Sequence, residues 1–531
     1  DSLNTAVGFQ SGTAVTTGIK NTLIGSVAGD ALTDADFNVA VGDFALSADT
    51  LGSRSVAIGR AALTSQNFTT ATDTYNVAVG YDAGVSVTTG ANNTLIGGLS
   101  GDALTTGAGN VSVGTSSLSA SQTGNNGTAV GFGALAATTT SDNTGIGYLA
   151  GTAVTTGIQN TLIGSGAGDA LTDADYNVSL GYRALSTDTL GSRSTAIGTE
   201  ALFSQNFTTA TDSYNIAVGY QAGVAVTTGT QNTLIGGLAG DALTDADKNV
   251  AIGYFSLTAD TLGSKSVAIG NGALGAQNFT TATDTFNTAV GQEAGRFVTT
   301  GIQNTLIGSL AGDALTDADQ NTAVGYAALT TDTLGSKSTA IGREALVTQN
   351  FTTATDSLNT AVGFAAGQAV TTGVENTLIG GRSGDALTDA DYNVSIGESS
   401  LSSDTLGSRS IAIGNSALGS QNFTTATISF NTAVGYTAGS QISTGQSNTI
   451  MGYEAGKFIT TGAANTFIGS AAGTGITGAK LTGSNNTAVG QGAGEKLQGA
   501  AVANTFVGGS SGGNGAISGG HNTAVGGETL Y

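Results

Sequence analysis

A glycine returns at one fixed place in a short phrase along the whole chain, and no other feature constrains the fold as much. Counted from the residue four before it, thirty repeats begin at residues 4, 21, 38, 55, 76, 93 and onward to 522, each with Gly at its fifth position, from Gly8, Gly25 and Gly42 to Gly526. Twenty-four open with Asn, and the others open with Ser55, Ser194, Ser266, Ser338, Ser410 or Gly127. The second residue is always Thr, Val or Ile, and the fourth is Val, Ile or Leu except at Met451. The eighth is Ala or Ser except at Thr529.

Steps of 17 residues dominate, and every fourth step is normally 21, which makes a 72-residue super-repeat starting near 4, 76, 143, 215, 287, 359 and 431. The extra residues lie in a recurring loop, "SQNFTTATDTYN" at 65–76 and its relatives around Phe207, Phe279, Phe351 and Phe423. The second super-repeat lacks this loop, and the coils from 486 to 531 step by 18 and drift from the pattern. No linker or break in composition interrupts the series, so the expectation is one continuous domain over residues 1–531.

Fixed short periods identify a solenoid, in which each repeat contacts only its neighbours. Seventeen residues are too few for a helix pair and suit one β coil of two short strands. The total absence of Pro among 531 residues agrees, because Pro lacks the N–H that a continuous β ladder needs. The fifth-position Gly permits a turn with φ > 0 that a β-branched run cannot take. Stacking at about 4.8 Å per coil predicts a rod of roughly 140 Å. The fold class expected is all-β, a parallel β-solenoid of about thirty coils. Residues two and four are two apart and share a strand face, which we take as the coil interior. Residue three, never charged, then points outward and needs a partner, expected to be another copy of the chain.

The phrases "NTAVG..AG" and "SVAIG..AL" resemble the head repeats of YadA-like trimeric autotransporter adhesins, and also the Asn-Thr-Ala-Val-Gly repeats of phage and bacterial fibre proteins. The resemblance covers essentially the whole chain. It implies a left-handed parallel β-roll associated as a homotrimeric rod and displayed outside a cell, on a filament or on a virion. The seventeen-residue coil departs from the shorter unit of the adhesin head.

Composition narrows the chemistry. A net charge of −22 disfavours nucleic acid and anionic membrane surfaces as partners, and no apolar run approaches the length of a membrane span. With no Cys and one His, His521, thiol and imidazole catalysis have almost nothing to work with, and "VGxxAG" does not open a helix as a phosphate loop does. No enzyme and no required cofactor is expected.

The most specific polar motif is "GDALTDADxN", present in five super-repeats. Its carboxylates are candidate Ca²⁺ ligands: Asp30, Asp34 and Asp36; Asp169, Asp173 and Asp175; Asp241, Asp245 and Asp247; Asp313, Asp317 and Asp319; Asp385, Asp389 and Asp391. Closely spaced Asp in a turn can supply several of the six to eight oxygens Ca²⁺ takes. The alternative is Asp as turn former, bonding nearby backbone. The second super-repeat keeps Asp102 without the rest. In "DTLGSRS" and "DTLGSKS", Arg54, Arg193, Lys265, Lys337 and Arg409 follow Asp49, Asp188, Asp260, Asp332 and Asp404, read as a local or interchain ion pair or as a basic receptor spot. Aromatic residues after the glycine (Phe9, Tyr81, Tyr148, Tyr182, Tyr220, Tyr254, Tyr326, Phe364, Tyr436, Tyr453) either clamp adjacent coils or stack on sugars. The opening Asn residues are read as an internal amide ladder.

The function expected is a non-enzymatic rigid extracellular fibre, an adhesin head or tail-fibre shaft for attachment or surface spacing, with an unknown surface receptor or glycan. Alternatives are a subunit of a filament assembled end to end, a Ca²⁺-dependent binding module and an ice-binding protein. The last is discounted on the "TTG" pairs (Thr16-Thr17, Thr88-Thr89, Thr155-Thr156, Thr299-Thr300), which return about once in four coils. Asp1–Phe9 repeats Asp356–Phe364, so a longer fibre is expected upstream, and "GGNGAISGGHNTAVGGETLY" is read as a partial cap or joint.

Overall fold

The computed structural model describes residues 2–512 and 515–529. Part of the C-terminal segment read as a cap, and Asp1, fall outside the described residues. The chain divides into two compact units, Asp1–Ser264 with Thr280–Thr283, and Lys265–Phe279 with Asp284–Tyr531. Each is a parallel β-solenoid, and no residue among those described is helical.

Every coil carries one three-residue strand at positions two to four of the repeat, not the two expected; among the described residues a second, two-residue strand forms only beside the long loops, as at Gly52–Ser53 and Thr72–Asp73. In the first unit these run from Thr5–Val7 through Thr233–Ile235 to Val250–Ile252; in the second, from Val267–Ile269 to Thr523–Val525. Successive strands pair parallel and residue for residue, as in Thr233↔Val250, Leu234↔Ala251 and Ile235↔Ile252. The ladder bonds are short and regular: Thr233 N donates to Asn249 O and Gly236 N to Val218 O, both at 2.8 Å. An unbroken in-register ladder of this kind leaves no room for Pro.

The coil is inside out relative to the sequence expectation. Position three is the interior: Leu23, Ala40, Leu95, Leu162 and Leu234 are fully or almost fully buried, whereas positions two and four look outward. The reason is the narrowness of the coil. Its interior holds one side-chain layer, filled by alternating volumes. Leu234 lies between Ala217 and Ala251 in register, and Leu162 between Gly145 and Ser179. Position nine trades volume with position three. Beside Leu234 it is Gly240, where a Cβ would meet Leu234 Cδ2 at 2.8 Å; beside Ala251 it is the buried Leu257.

The fifth-position glycine has two causes. Gly236 sits at φ +136°, and a Cβ there would lie 2.6 Å from Gly253 O in the coil above. The left-handed backbone and the close stacking of carbonyls both exclude a side chain. Leu residues at position nine, such as Leu257 (φ 53°), also take left-handed φ. Their burial offsets that cost, since a buried Leu contributes about 1.5–3 kcal/mol.

The opening Asn residues form the expected internal ladder, amide on amide in several coils, as where Asn486 Nδ2 donates to Asn465 Oδ1 at 2.9 Å and Asn504 Nδ2 to Asn486 Oδ1 at 2.8 Å, and through the backbone throughout. Asn232 Nδ2 donates to Ala246 O at 2.7 Å, and its Oδ1 accepts the Asn249 N–H at 3.0 Å. Each amide thereby satisfies two buried backbone groups at a corner where the strand ladder has ended.

Candidate association face and polar corners

The outward face of the strands carries two parallel rows. Position two supplies Thr in twenty of thirty coils and Val or Ile in the rest; position four is apolar throughout. The position-four side chains keep more than a third of their surface exposed at intervals along the chain, as at Ile24 39%, Ile96 39%, Ile235 37%, Ile307 39% and Ile379 37%, and are half-buried in most of the coils between. Strands apolar on both faces are normally covered on both. Here the inner face is covered by the coil and the outer face by nothing among the described residues.

Beside this face runs the aromatic row that follows the glycine. Phe9, Tyr81, Tyr148, Tyr220, Tyr326, Tyr436 and Tyr453 are all largely exposed. Stacking between adjacent coils occurs only where two aromatics are neighbours, as in Phe132–Tyr148 with centroids 5.7 Å apart and Tyr436–Tyr453 at 5.5 Å. Elsewhere an arginine of the neighbouring coil lies over the ring, Arg60 5.2 Å from the Tyr81 centroid and Arg343 5.9 and 5.8 Å from those of Tyr326 and Phe364, so the row both ties coils together and widens the exposed strip.

The acidic loops form a corner of hydrogen-bonded tiers. Thr17 Oγ1 donates to Asp34 Oδ1 at 2.5 Å, Ile19 N to Asp36 Oδ1 at 2.7 Å, and Asp36 N to Ser53 Oγ at 2.9 Å. Asp173 and Asp175, Asp245 and Asp247, Asp317 and Asp319, and Asp389 and Asp391 repeat the arrangement with Thr156, Thr228, Thr300 and Thr372 of the preceding coil. The three motifs "TTG", "TDAD" and "TLGS" are thus successive tiers of one corner, which is why they recur in that order. The first carboxylate of each loop stands apart. Asp241 Oδ1 accepts Thr258 Oγ1 at 2.5 Å and Asp313 accepts Thr330, whereas Oδ1 of Asp30, Asp169 and Asp385 is buried without a partner. Burial pushes the Asp30, Asp169, Asp241, Asp313 and Asp385 carboxyls above the usual range. Among the described residues no three acidic or imidazole groups come together as a metal-holding cluster.

The basic residues of "DTLGSRS" do pair locally, but not with the Asp that precedes them. Arg54 bonds Asp73 at 2.8 Å, Arg193 bonds Asp212 at 3.0 Å, and Lys265 and Lys337 bond Asp284 and Asp356 at 2.5 Å. Arg409 meets Ile428 at the corresponding place and lies over Tyr392 instead, 4.9 Å from the ring centroid. Asp49, Asp188, Asp332 and Asp404 are fully buried. Asp49 Oδ1 accepts Gly52 N and Phe68 N, at 3.1 and 3.0 Å, and Oδ2 accepts Gln66 Nε2 at 2.6 Å. This carboxylate pins the long loop to the coil beneath it. The sequence reading missed Gln66, Gln205, Gln349 and Gln421, whose signal was "QNF" recurring in step with the Ser-opened coils.

No protein-family model matches the chain, and no curated protein matches it.

Proposed function

We propose that the chain is a non-enzymatic structural element of an extracellular fibre, used for attachment or spacing, and that it associates with further copies of itself through the outer strand face. The supporting observation is the two-row face, Thr/Val beside Ile/Val, left half-exposed along fifteen coils of each unit. At about 4.8 Å per coil and about 7 Å between the two rows, one unit's face is about 70 Å long and covers about 500 Å², at the upper end of the contiguous apolar patches that soluble monomers leave uncovered. The occupant that fits is a second copy. Its rows repeat with the same period, so side chains stay in register over many coils, whereas a surface without that period would fall out of step within a few. The homotrimer implied by the adhesin resemblance is one closed way of pairing such faces.

The test is sedimentation velocity on the triple variant Val218→Lys, Ile235→Lys, Ile252→Lys. Reduced association with an unchanged circular-dichroism spectrum supports the reading. Association unaffected by three charges on one row would remove it.

One observation favours a second reading, ice binding. The Thr side chains of position two also face outward, one per coil over most of the face, a much denser array than the exposed "TTG" pairs. A thermal-hysteresis assay on the unaltered chain separates the readings, since freezing-point depression by dispersed single chains belongs only to the second.

A further inference from the structure

The five long loops share the seven residues "QNFTTAT", beginning at Gln66, Gln205, Gln277, Gln349 and Gln421, while their flanks drift. Ser, Ala or Thr stands before, and Asp-Thr, Asp-Ser or Ile-Ser after. Packing accounts for part of this constancy. Gln66 reaches the buried Asp49 at 2.6 Å, Phe68 is 7% exposed and donates its N–H to Asp49 at 3.0 Å, and Thr72 Oγ1 closes on Thr70 O at 3.0 Å. It does not account for Thr69. That residue and its equivalents Thr208, Thr280, Thr352 and Thr424 are exposed, and their hydroxyls make no hydrogen bond among the described residues.

The Asn two residues earlier is exposed in all five loops, and the Phe between is buried, so Asn and Thr stand together on the outer side of the loop. Asn67 Oδ1 accepts Thr50 Oγ1 at 3.1 Å, and Asn206, Asn350 and Asn422 accept Thr189, Thr333 and Thr405 at 3.1–3.2 Å. In these four the amide is held by its oxygen, and its nitrogen donates to no group among the described residues. Asn-x-Thr with x other than Pro is the triplet whose amide nitrogen accepts a sugar, provided that it lies on a surface loop. The chain's other triplets of this kind lack that setting. Asn110, Asn177 and Asn393, with Ser112, Ser179 and Ser395, are fully buried. At Asn92, Asn126 and Asn485 the closing Thr is the position-two residue of the outer strand face.

We propose that Asn67, Asn206, Asn278, Asn350 and Asn422 are N-glycosylation sites. Asn Nδ2 forms a bond to the anomeric carbon of a sugar carried by an activated donor, a nucleotide- or lipid-linked sugar phosphate, on a transferase. The bond from that carbon to the phosphate oxygen breaks with its electron pair going to the phosphate, and one amide proton leaves to a base of the transferase. No oxidant or reductant is required. Asn350 and Asn422 lie four coils apart, about 19 Å at the stacking distance of the ladder. The sugars thus line the polar corner at intervals, apart from the strand face. They keep that corner hydrated and leave the strand face as the side on which copies meet.

Peptide mass mapping of the chain from its native source tests this. Trypsin releases peptides 266–296, 344–382 and 410–457, each carrying one loop site and no other such triplet. All three are expected to be heavier than their sequences by whole sugar residues. Peptide 383–409, which carries the buried Asn393 triplet, is expected at its sequence mass. Thr352→Ala, made in the same host, should strip the sugar from Asn350 alone, and Thr352→Ser should keep it. Neither change touches a packed group, so the melting midpoint should stay in place. Sequence masses for all three loop peptides overturn the proposal, and so does a Thr352→Ala chain that still carries sugar on Asn350. Either result leaves the self-association reading standing, since that rests on the strand face.

Discussion

Leu234 and Ile235 are adjacent in one three-residue strand, similar in size and equally apolar, yet one is fully buried and the other keeps 37% of its surface. A solenoid this thin has a single interior layer, so neighbouring residues of a strand face opposite ways. The odd position builds the coil. The even positions look out of it, where we propose a second copy binds.

That contrast is most easily broken by charge. Leu234→Asp places a carboxylate in a closed apolar layer with no partner, and even Leu→Ala at such a site costs about 2–5 kcal/mol. We expect the coils around it to lose hydrogen-exchange protection altogether. Ile235→Asp, one residue on, should leave protection in place and loosen association. Equal damage from the two would erase the distinction between the faces.

Gly236→Ala comes next. It forces a Cβ to 2.6 Å from Gly253 O at φ +136°, and strain of this kind costs on the order of 1–3 kcal/mol. Gly237→Ala is its control, because its Cβ would meet only ordinary contacts, the nearest at 3.4 Å to Tyr254. Thermal melting should separate the two variants clearly.

The period, the coil and the glycine turn were legible in the sequence because they are local requirements written at fixed spacing. The facing of the strand was not. Apolar β-branched residues at two and four look like core, and Ala at three looks like surface, until the volume of the interior is known. Only the alternation of Leu234 with Ala217 and Ala251, and the Gly240 that makes room, carried that information. The acidic loops were recognised as a unit, but their partners lie seventeen residues away in the next coil, and spacing alone does not say whether Thr17 or an ion meets Asp34. Asp49 was matched to Arg54 by proximity in sequence; the ladder instead gives Arg54 to Asp73 and buries Asp49.

Acidification sharpens the picture of the interior carboxyls with a smaller effect. Asp30, Asp49, Asp102, Asp169, Asp241, Asp313, Asp385 and Asp404 all have carboxyls raised above 3.8 by burial. The folded chain therefore binds more protons than the unfolded one just above that value, and this contribution to stability grows as pH falls through the raised values and is complete below 3.8. Chemical denaturation at pH 7 and near pH 4 should show a higher midpoint at the lower pH.

The smallest expected change is at the exposed ion pairs. Arg54→Ala removes the bond to Asp73 and should move the melting midpoint little, because exposed ion pairs are screened by solvent, with Arg409→Ala, which has Ile428 opposite, moving it less. A large drop at Arg54 would mean the corner does more than tie two tiers together.

The central claim, that the outer strand face is built to meet another copy, is tested most directly by multi-angle light scattering on the unaltered chain in dilute solution. The expected result is a particle whose mass is a whole multiple, two or more, of 51.6 kDa, persisting on dilution. A well-folded particle of 51.6 kDa at every concentration would contradict it.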